Sequence, residues 1–123
     1  MKIEVSIGEI VDKLSILKIK QDNINDEFKL INIKNEYFYL HEIIFADLNI
    51  NMEDYITLLN INKILWDIED NIRFKEKKQE FDNEFIELAR SVYITNDKRS
   101  ELKKEINIKY GSKFTEEKSY EKY

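Results

Sequence analysis

Residues 5–20, VSIGEIVDKLSILKIK, contain both the signals that begin a helix and the apolar pattern that buries it. Ser6 and Glu9 have the spacing of a capping box, in which two side chains satisfy free amide groups at a helix N-terminus. Val5 and Ile10 are placed as the hydrophobic staple that fixes where the chain enters the helix. Apolar residues lie on two sides of this helix, so we predict that it is buried between neighbours.

The rest of the chain lacks the residues that break helices. There is no proline, and no glycine lies between Gly8 and Gly111, so the turns must be built from Asn and Asp. Apolar residues three and four positions apart form a seam in each later segment. We predict an all-α fold: one antiparallel four-helix bundle-like domain over residues 1–123, with a long helical hairpin and a docked C-terminal tail. The helices are expected at about 7–22, 27–48, 52–80 and 83–109, and the tail at 112–123.

The last two helices are long for a domain of this size. At about 1.5 Å per residue the fourth would be roughly 40 Å long, whereas a compact chain of 123 residues is about 35 Å across. We therefore expect the hairpin to project, with its seam covered by a second subunit or by the tail. The expectation is a homodimer with contacts at Ile16, Ile19 and the third helix around Trp66, and a tail anchored by its aromatic residues Phe114, Tyr120 and Tyr123.

Composition excludes several functional classes. The net charge is −5, and the lysines are interleaved with Asp and Glu, which argues against a nucleic-acid partner because sequence-independent binding needs a basic surface. The absence of cysteine excludes disulfides, thiolate metal sites and cysteine nucleophiles. We find no signal peptide and no apolar stretch long enough for a transmembrane helix. The expected location is therefore the cytoplasm, with no membrane partner.

The most unusual feature of the fourth helix is its polar segment, residues 93–99, YITNDKR. Thr, Asn and Asp are unfavourable inside helices because their side chains compete for backbone hydrogen bonds. Two of the chain's three arginines lie in or beside this segment, and Arg binds carboxylates and phosphates through a bidentate fork. The candidate ligand-binding residues are Arg90, Tyr93, Asn96, Asp97 and Arg99.

Two interpretations of this segment remain open. It could be a site for an anionic ligand, or a structural polar layer in which Asp97 and Arg99 are satisfied by other helices. The distinguishing observation is whether these groups line an open cleft or pair with one another.

Acidic residues also occur in i, i+3 pairs, a spacing that puts two carboxylates on one helix face and can serve Mg²⁺. These pairs are Glu9 with Asp12, Asp67 with Asp70, and Glu84 with Glu87. Their order and spacing differ from the E-x-x-E and E-x-x-D pattern of the all-helical nucleotide pyrophosphohydrolases. We interpret them as solvated faces, so no metal site and no cofactor is expected.

Four segments resemble a small family of uncharacterised bacterial and phage proteins, a domain of unknown function. They are GEIVDKLSILKIK at 8–20, LWDIEDNIRFKE at 65–76, FIELARSVYITNDKR at 85–99 and EEKSYEKY at 116–123. The resemblance implies an intact all-helical, single-domain member, and it brings no activity with it. The first segment is also similar to the first helix of the helical chorismate mutases, although the arginines of that helix are absent here.

The sequence therefore favours a non-catalytic binding or assembly module of helical type, with a protein partner or a second copy. No nucleophile, metal cluster or phosphate-binding loop is visible. The alternative is a small helical enzyme that acts on an anionic substrate, phosphorylated or nucleotide-like, through the arginines and Asp97 of the fourth helix.

Overall fold

The computed structural model describes all residues from Met1 to Tyr123 and consists of helices without a single strand. The predicted all-α class is confirmed. A π-helical segment, Ile43–Asp47, continues the second helix, so this part of the chain is helical to nearly the expected position. The four helices are α1 (Ile7–Asn23), α2 (Glu27–Glu42), α3 (Met52–Lys78) and α4 (Asn83–Lys109).

A polar side chain caps the N-terminus of each helix. Ser6 accepts a hydrogen bond from the Glu9 amide at 3.3 Å, and Asn51 and Asp82 cap α3 and α4 in the same way. Asp26 caps α2 through the Lys29 amide. These oxygens satisfy amide groups that have no partner inside the helix.

The C-terminus of α4 is closed by a Schellman motif. The Ser112 amide donates to the Asn107 carbonyl at 2.8 Å, and the Gly111 amide donates to the Ile108 carbonyl at 3.4 Å. This geometry places Gly111 at φ +65°, a conformation that costs glycine little because it has no Cβ. Gly111 is therefore the residue that ends α4.

Helix α1 lies at the centre of the fold, in contact with α2, α3 and α4, while α2 packs mainly against α1. The prediction that α1 is buried between neighbours is confirmed. Ile19 is only 3% exposed and belongs to the core, so it has little surface to offer a second chain. The core consists of Val11, Leu14, Leu17, Ile19, Leu40, Ile44, Ile50, Tyr55, Leu58, Leu59 and Ile106.

The beginning of α1 touches the backbone of α4. The Gly8 amide donates to Oδ1 of Asn107 at 2.6 Å. A Cβ atom on Gly8 would lie 2.5 Å from the Lys103 carbonyl oxygen, which is closer than real Cβ atoms approach. Glycine is therefore required at this position by the close approach of two helices.

The far half of the α3–α4 hairpin, residues 66–94, is here named the distal hairpin. None of these residues is buried, although the segment includes Ile68, Ile72, Leu88 and Val92 along the seam. Phe74, Phe81 and Ile86 are more than half exposed. Only two helices pack here, and two helices can bury only the narrow strip between them.

The tail follows α4 through polar contacts. Tyr123 donates a hydrogen bond to Asp97 at 2.6 Å, and Glu116 pairs with Lys103 at 3.3 Å. The expected aromatic anchoring is wrong, because the exposed fractions of Phe114, Tyr120 and Tyr123 are 49%, 74% and 77%. The tail is docked by its charges and hydroxyl groups.

None of the helices combines the length and the apolarity needed to cross a membrane.

Candidate functional site

A buried group of polar side chains from three helices lies where α1 crosses the hairpin. We name Asp12, Ser15, Asn62 and Arg99 the polar centre. Arg99 donates to both carboxylate oxygens of Asp12, from Nε at 2.9 Å and from Nη2 at 2.5 Å. Asn62 donates to Asp12 at 2.9 Å and to Ser15 at 2.7 Å, and the Ser15 hydroxyl donates to the Asp12 carbonyl at 2.7 Å.

The Asp12 carboxylate is 2% exposed, so the expectation that this acid lies on a solvated face is wrong. A buried carboxylate is costly unless a cation and hydrogen-bond donors compensate it, and Arg99 and Asn62 provide both. The hydrogen bond to Asp12 raises the pKa of Arg99 further above its ordinary value. Arg99 therefore remains a guanidinium cation throughout the physiological range.

Arg99 is not fully consumed by this pair. The guanidinium carries five N–H donors, of which Asp12 takes two, and the side chain is 28% exposed. Arg99 lines three separate clefts on the surface of the domain. Asp12 thus holds the guanidinium in place while other donors remain available to a ligand.

The tail cleft, between α4 and the C-terminal tail, has a volume of about 580 Å³. It brings together four of the five candidate residues, Tyr93, Asn96, Asp97 and Arg99. Tyr123 closes one side, with its ring edge-on to Tyr93 at a centroid distance of 5.1 Å. The remaining lining residues are Val92, Lys118, Tyr120 and Glu121.

Arg90 does not line the tail cleft. It is exposed, and it donates to Glu87 at 3.1 Å one turn earlier on the same helix. The two arginines expected to act together therefore lie in different environments, and each is paired with a carboxylate.

The basic cleft, of about 300 Å³, lies beside the tail cleft and shares Asn96, Arg99 and Lys118 with it. Lys103 lies at its wall, almost buried, and pairs with Glu9 at 2.9 Å and Glu116 at 3.3 Å. Burial acts to lower the pKa of Lys103, but its hydrogen bond to Glu9 and nearby carboxylates outweigh burial and raise it. Lys103 is therefore a charged ammonium group.

The third cleft, the Trp66 cleft, has a volume of about 450 Å³ and opens between α1 and the distal hairpin. Its apolar wall consists of Ile16, Ile19, Leu65 and Trp66, and Arg99 reaches it from α4. This is the surface that the sequence analysis assigned to a subunit contact through Ile16, Ile19 and Trp66.

Comparison with known proteins gives one match over the entire chain, residues 1–123, to a family of unknown function (DUF6165). The chain belongs to this family. No curated protein matches the chain, and no solved structure does. The function of this DUF6165 member must therefore be argued from its own residues.

Sequence reasoning missed Asp12, Ser15, Asn62, Lys103 and Lys118. A signal was present for two of them in the segment at 8–20, because Asp12 and Ser15 each directly follow a core residue of α1, Val11 and Leu14. Polar residues on an apolar stripe need buried partners. Asn62 and Lys103 carry no comparable signal, because their partners come from distant parts of the chain.

No group of three or more His, Asp or Glu side chains in the structure is arranged to hold a metal ion. His41 is half-buried between Tyr37 and Phe45, with ring centroids 5.7 Å and 4.7 Å away. His41, the only histidine of the chain, therefore packs among aromatic rings at the edge of the core.

Proposed function

We propose that this DUF6165 member is a non-catalytic assembly module that forms a homodimer through its distal hairpin. The observation that carries the proposal is that no residue of this long apolar segment is buried within the chain. Large exposed apolar surfaces on proteins mark interaction sites. Two such hairpins packed side by side would form a four-helix bundle and bury both seams.

The tail does not supply the missing cover. Its last residue, Tyr123, contacts Asp97 and Tyr93, which lie at or below the base of the distal hairpin. The tail therefore lies along the part of α4 nearer the base and does not cover Ile72 or Leu88. A second molecule packed on this surface would supply that cover.

Charge along the hairpin favours a second copy as that occupant. The end of α3 carries Lys77 and Lys78, which make no ion pair within the chain, and the start of α4 carries Glu84 and Glu87, which pair with Lys75 and Arg90 but remain mostly exposed. A two-fold axis parallel to the hairpin would place α3 of one chain beside α4 of the other, so that basic and acidic ends meet. A self-complementary surface of this kind is what an isologous dimer needs.

Both arginines of α4 are paired with carboxylates, and this supports a non-catalytic role over the alternative, an enzyme acting on an anionic substrate. Arg99 is bound to Asp12, and Arg90 is bound to Glu87. Asp12 is buried and already accepts hydrogen bonds from two side chains, so it is poorly placed to accept a proton from a substrate.

The proposed location is the cytoplasm, because a chain without cysteine gains nothing from an oxidising compartment.

Light scattering coupled to size exclusion tests the dimer. At micromolar concentration the wild type should have twice its chain mass of 14.9 kDa. A double variant, Phe74→Glu with Ile86→Glu, should be monomeric and remain helical, since both side chains are more than half exposed in the chain itself.

The matched control is Ile31→Glu with Phe38→Glu on α2, where both side chains are also more than half exposed. This control should remain dimeric. A monomeric wild type would contradict the proposal, and a dimer broken only by the α2 variant would move the interface from the hairpin to α2.

A further inference from the structure

The basic cleft contains a carboxylate from the chain's own tail. Glu116 contacts Lys103 through one oxygen at 3.3 Å and Lys118 through the other at 3.5 Å. Arg99 lines the same cleft, as do Asn96 and Ser100. The carboxylate of Glu116 thus lies among three cations in the position that an anionic ligand would take.

The charges of the cleft balance only while Glu116 is present. Arg99 is balanced by Asp12, and Lys103 by Glu9. Lys118 makes its ion pair with Glu116. The proximity of Lys103 also lowers the pKa of Glu116. If the Glu116 side chain turned out of the cleft while the tail stayed docked, the charge of Lys118 would be left without a partner.

The tail is held loosely enough to move. Its aromatic residues Phe114, Tyr120 and Tyr123 are mostly exposed, and the pair between Lys104 and Glu117 is long, at 3.6 Å. Exposed ion pairs contribute little to stability.

The neighbouring tail cleft has a different character. Tyr93, Tyr120 and Tyr123 line it, and it shares Asn96, Arg99 and Lys118 with the basic cleft. Together the two clefts have the size and mixture of aromatic and polar groups that are usual for small-molecule sites. One suits an anionic group, and the other suits a planar ring.

We infer that these two joined clefts bind a small phosphorylated or carboxylated molecule that carries a planar ring, and that Glu116 occupies the anion position until the ligand displaces it. The anionic group would contact Lys103, Arg99 and Lys118, as Glu116 now contacts the two lysines. The ring would lie against the tyrosines of the tail cleft. This inference is independent of dimer formation, because none of these residues except Tyr93 belongs to the distal hairpin.

Titration calorimetry with the full chain tests the site. The probes are adenosine 5′-monophosphate, benzoate and inorganic phosphate. The first carries a ring and a phosphate, the second carries a ring and a carboxylate, and the third is an anion without a ring. Wild type should bind at least one of the two ring-bearing probes more tightly than inorganic phosphate. Removal of the competing carboxylate by Glu116→Gln should raise that affinity about fivefold, the weight of one exposed ion pair.

The matched control is Glu117→Gln, which removes one tail carboxylate that pairs only with Lys104, outside the contacts of Glu116. Its affinity should equal that of the wild type. Lys103→Gln and Lys118→Gln should both weaken binding, and Lys118, an exposed tail residue, cannot affect helix packing.

Three results would overturn the inference. One is no binding of any probe by either wild type or Glu116→Gln at millimolar concentration. Another is an equal gain for Glu117→Gln, since that would reflect net charge alone. The third is inorganic phosphate binding as tightly as the ring-bearing probes, which would remove the role of the tyrosines.

Discussion

At the scale of single residues, the ion pair between Asp12 and Arg99 decides how three helices meet. Its carboxylate is nearly inaccessible, whereas its guanidinium is partly exposed. Removing one partner of such a pair costs more than removing both, because a lone buried charge has no compensation. The pair therefore specifies the position of α1 on the hairpin, whatever net stability it adds.

Arg99→Met should lower the free energy of unfolding by about 2–4 kcal/mol, somewhat less than for a fully buried pair because Arg99 is partly exposed. Replacing both partners, as in Asp12→Leu with Arg99→Met, should recover at least half of that loss. Urea denaturation followed by circular dichroism measures both values. If adding Asp12→Leu to Arg99→Met lowers the free energy of unfolding as much as Asp12→Leu lowers it in the wild type, the two residues are not coupled.

The same residues show why the site was only partly predictable. Arg99 was a candidate because a polar side chain on an apolar stripe is visible locally. Its partner Asp12 was assigned to a solvated face, since two residues 87 positions apart share no local pattern. Lys103 and Glu116 were missed for the same reason, because only the folded chain brings the tail back along α4.

At the scale of the helices, the termini follow from local sequence far better than the contacts do. Ser6, Asn51 and Asp82 cap their helices through hydrogen bonds that span two or three residues, so their motifs could be read directly. The end of α3 is an exception. It terminates at Gln79, which adopts φ +57° without being glycine, a conformation that side chains disfavour.

Gln79→Gly should therefore raise the free energy of unfolding by about 0.5–1 kcal/mol, since glycine adopts this conformation without strain. The gain is reduced by the loss of the hydrogen bond from the Gln79 side chain to the Glu76 carbonyl at 2.7 Å. Lys78→Gly, one residue earlier and inside the helix, should lower stability by a similar amount. Thermal unfolding measures the melting temperature of each variant. If both substitutions shift the melting temperature in the same direction by the same amount, the positive φ of Gln79 is not a source of strain.

At the scale of the whole molecule, the core around α1 is well packed, and three parts lack full cover: the distal hairpin, the outer face of α2 and the tail. The sequence predicted the hairpin from helix length alone, because that argument needs no knowledge of contacts. It did not predict how the tail docks. The presence of three aromatic residues suggested burial, but α4 offers the tail a charged surface rather than an apolar groove.

The tail should therefore detach in acid. Lys103 lowers the pKa of Glu116 below its usual 4.5, so the contribution of this pair is complete above pH 4.5 and is lost as the pH falls through the lowered pKa. Amide NMR relaxation of residues 113–123 should report a mobile tail below that range and an ordered one above it. In the Glu116→Gln variant the mobility of the tail should change little over this pH range. If its mobility changes with pH as much as in the wild type, Glu116 is not the titrating group.

The central position of α1 has a consequence for synthesis of the chain on the ribosome. The Gly8 amide donates to the Asn107 side chain, the Ile7 amide donates to the Ser112 hydroxyl, and Arg99 donates to Asp12. Helix α1 is made first, but these contacts cannot form until α4 has been made. At the usual ~5–20 residues per second, the 87 residues between Asp12 and Arg99 take roughly 4–17 s to make. During that interval the nascent helix can pair with α2 and then with α3, whose Asn62 donates to Asp12, but the Asp12 carboxylate lacks its guanidinium partner and the face of α1 that packs on α4 stays uncovered. Molecular chaperones that recognise exposed apolar segments would meet this protein at its N-terminus.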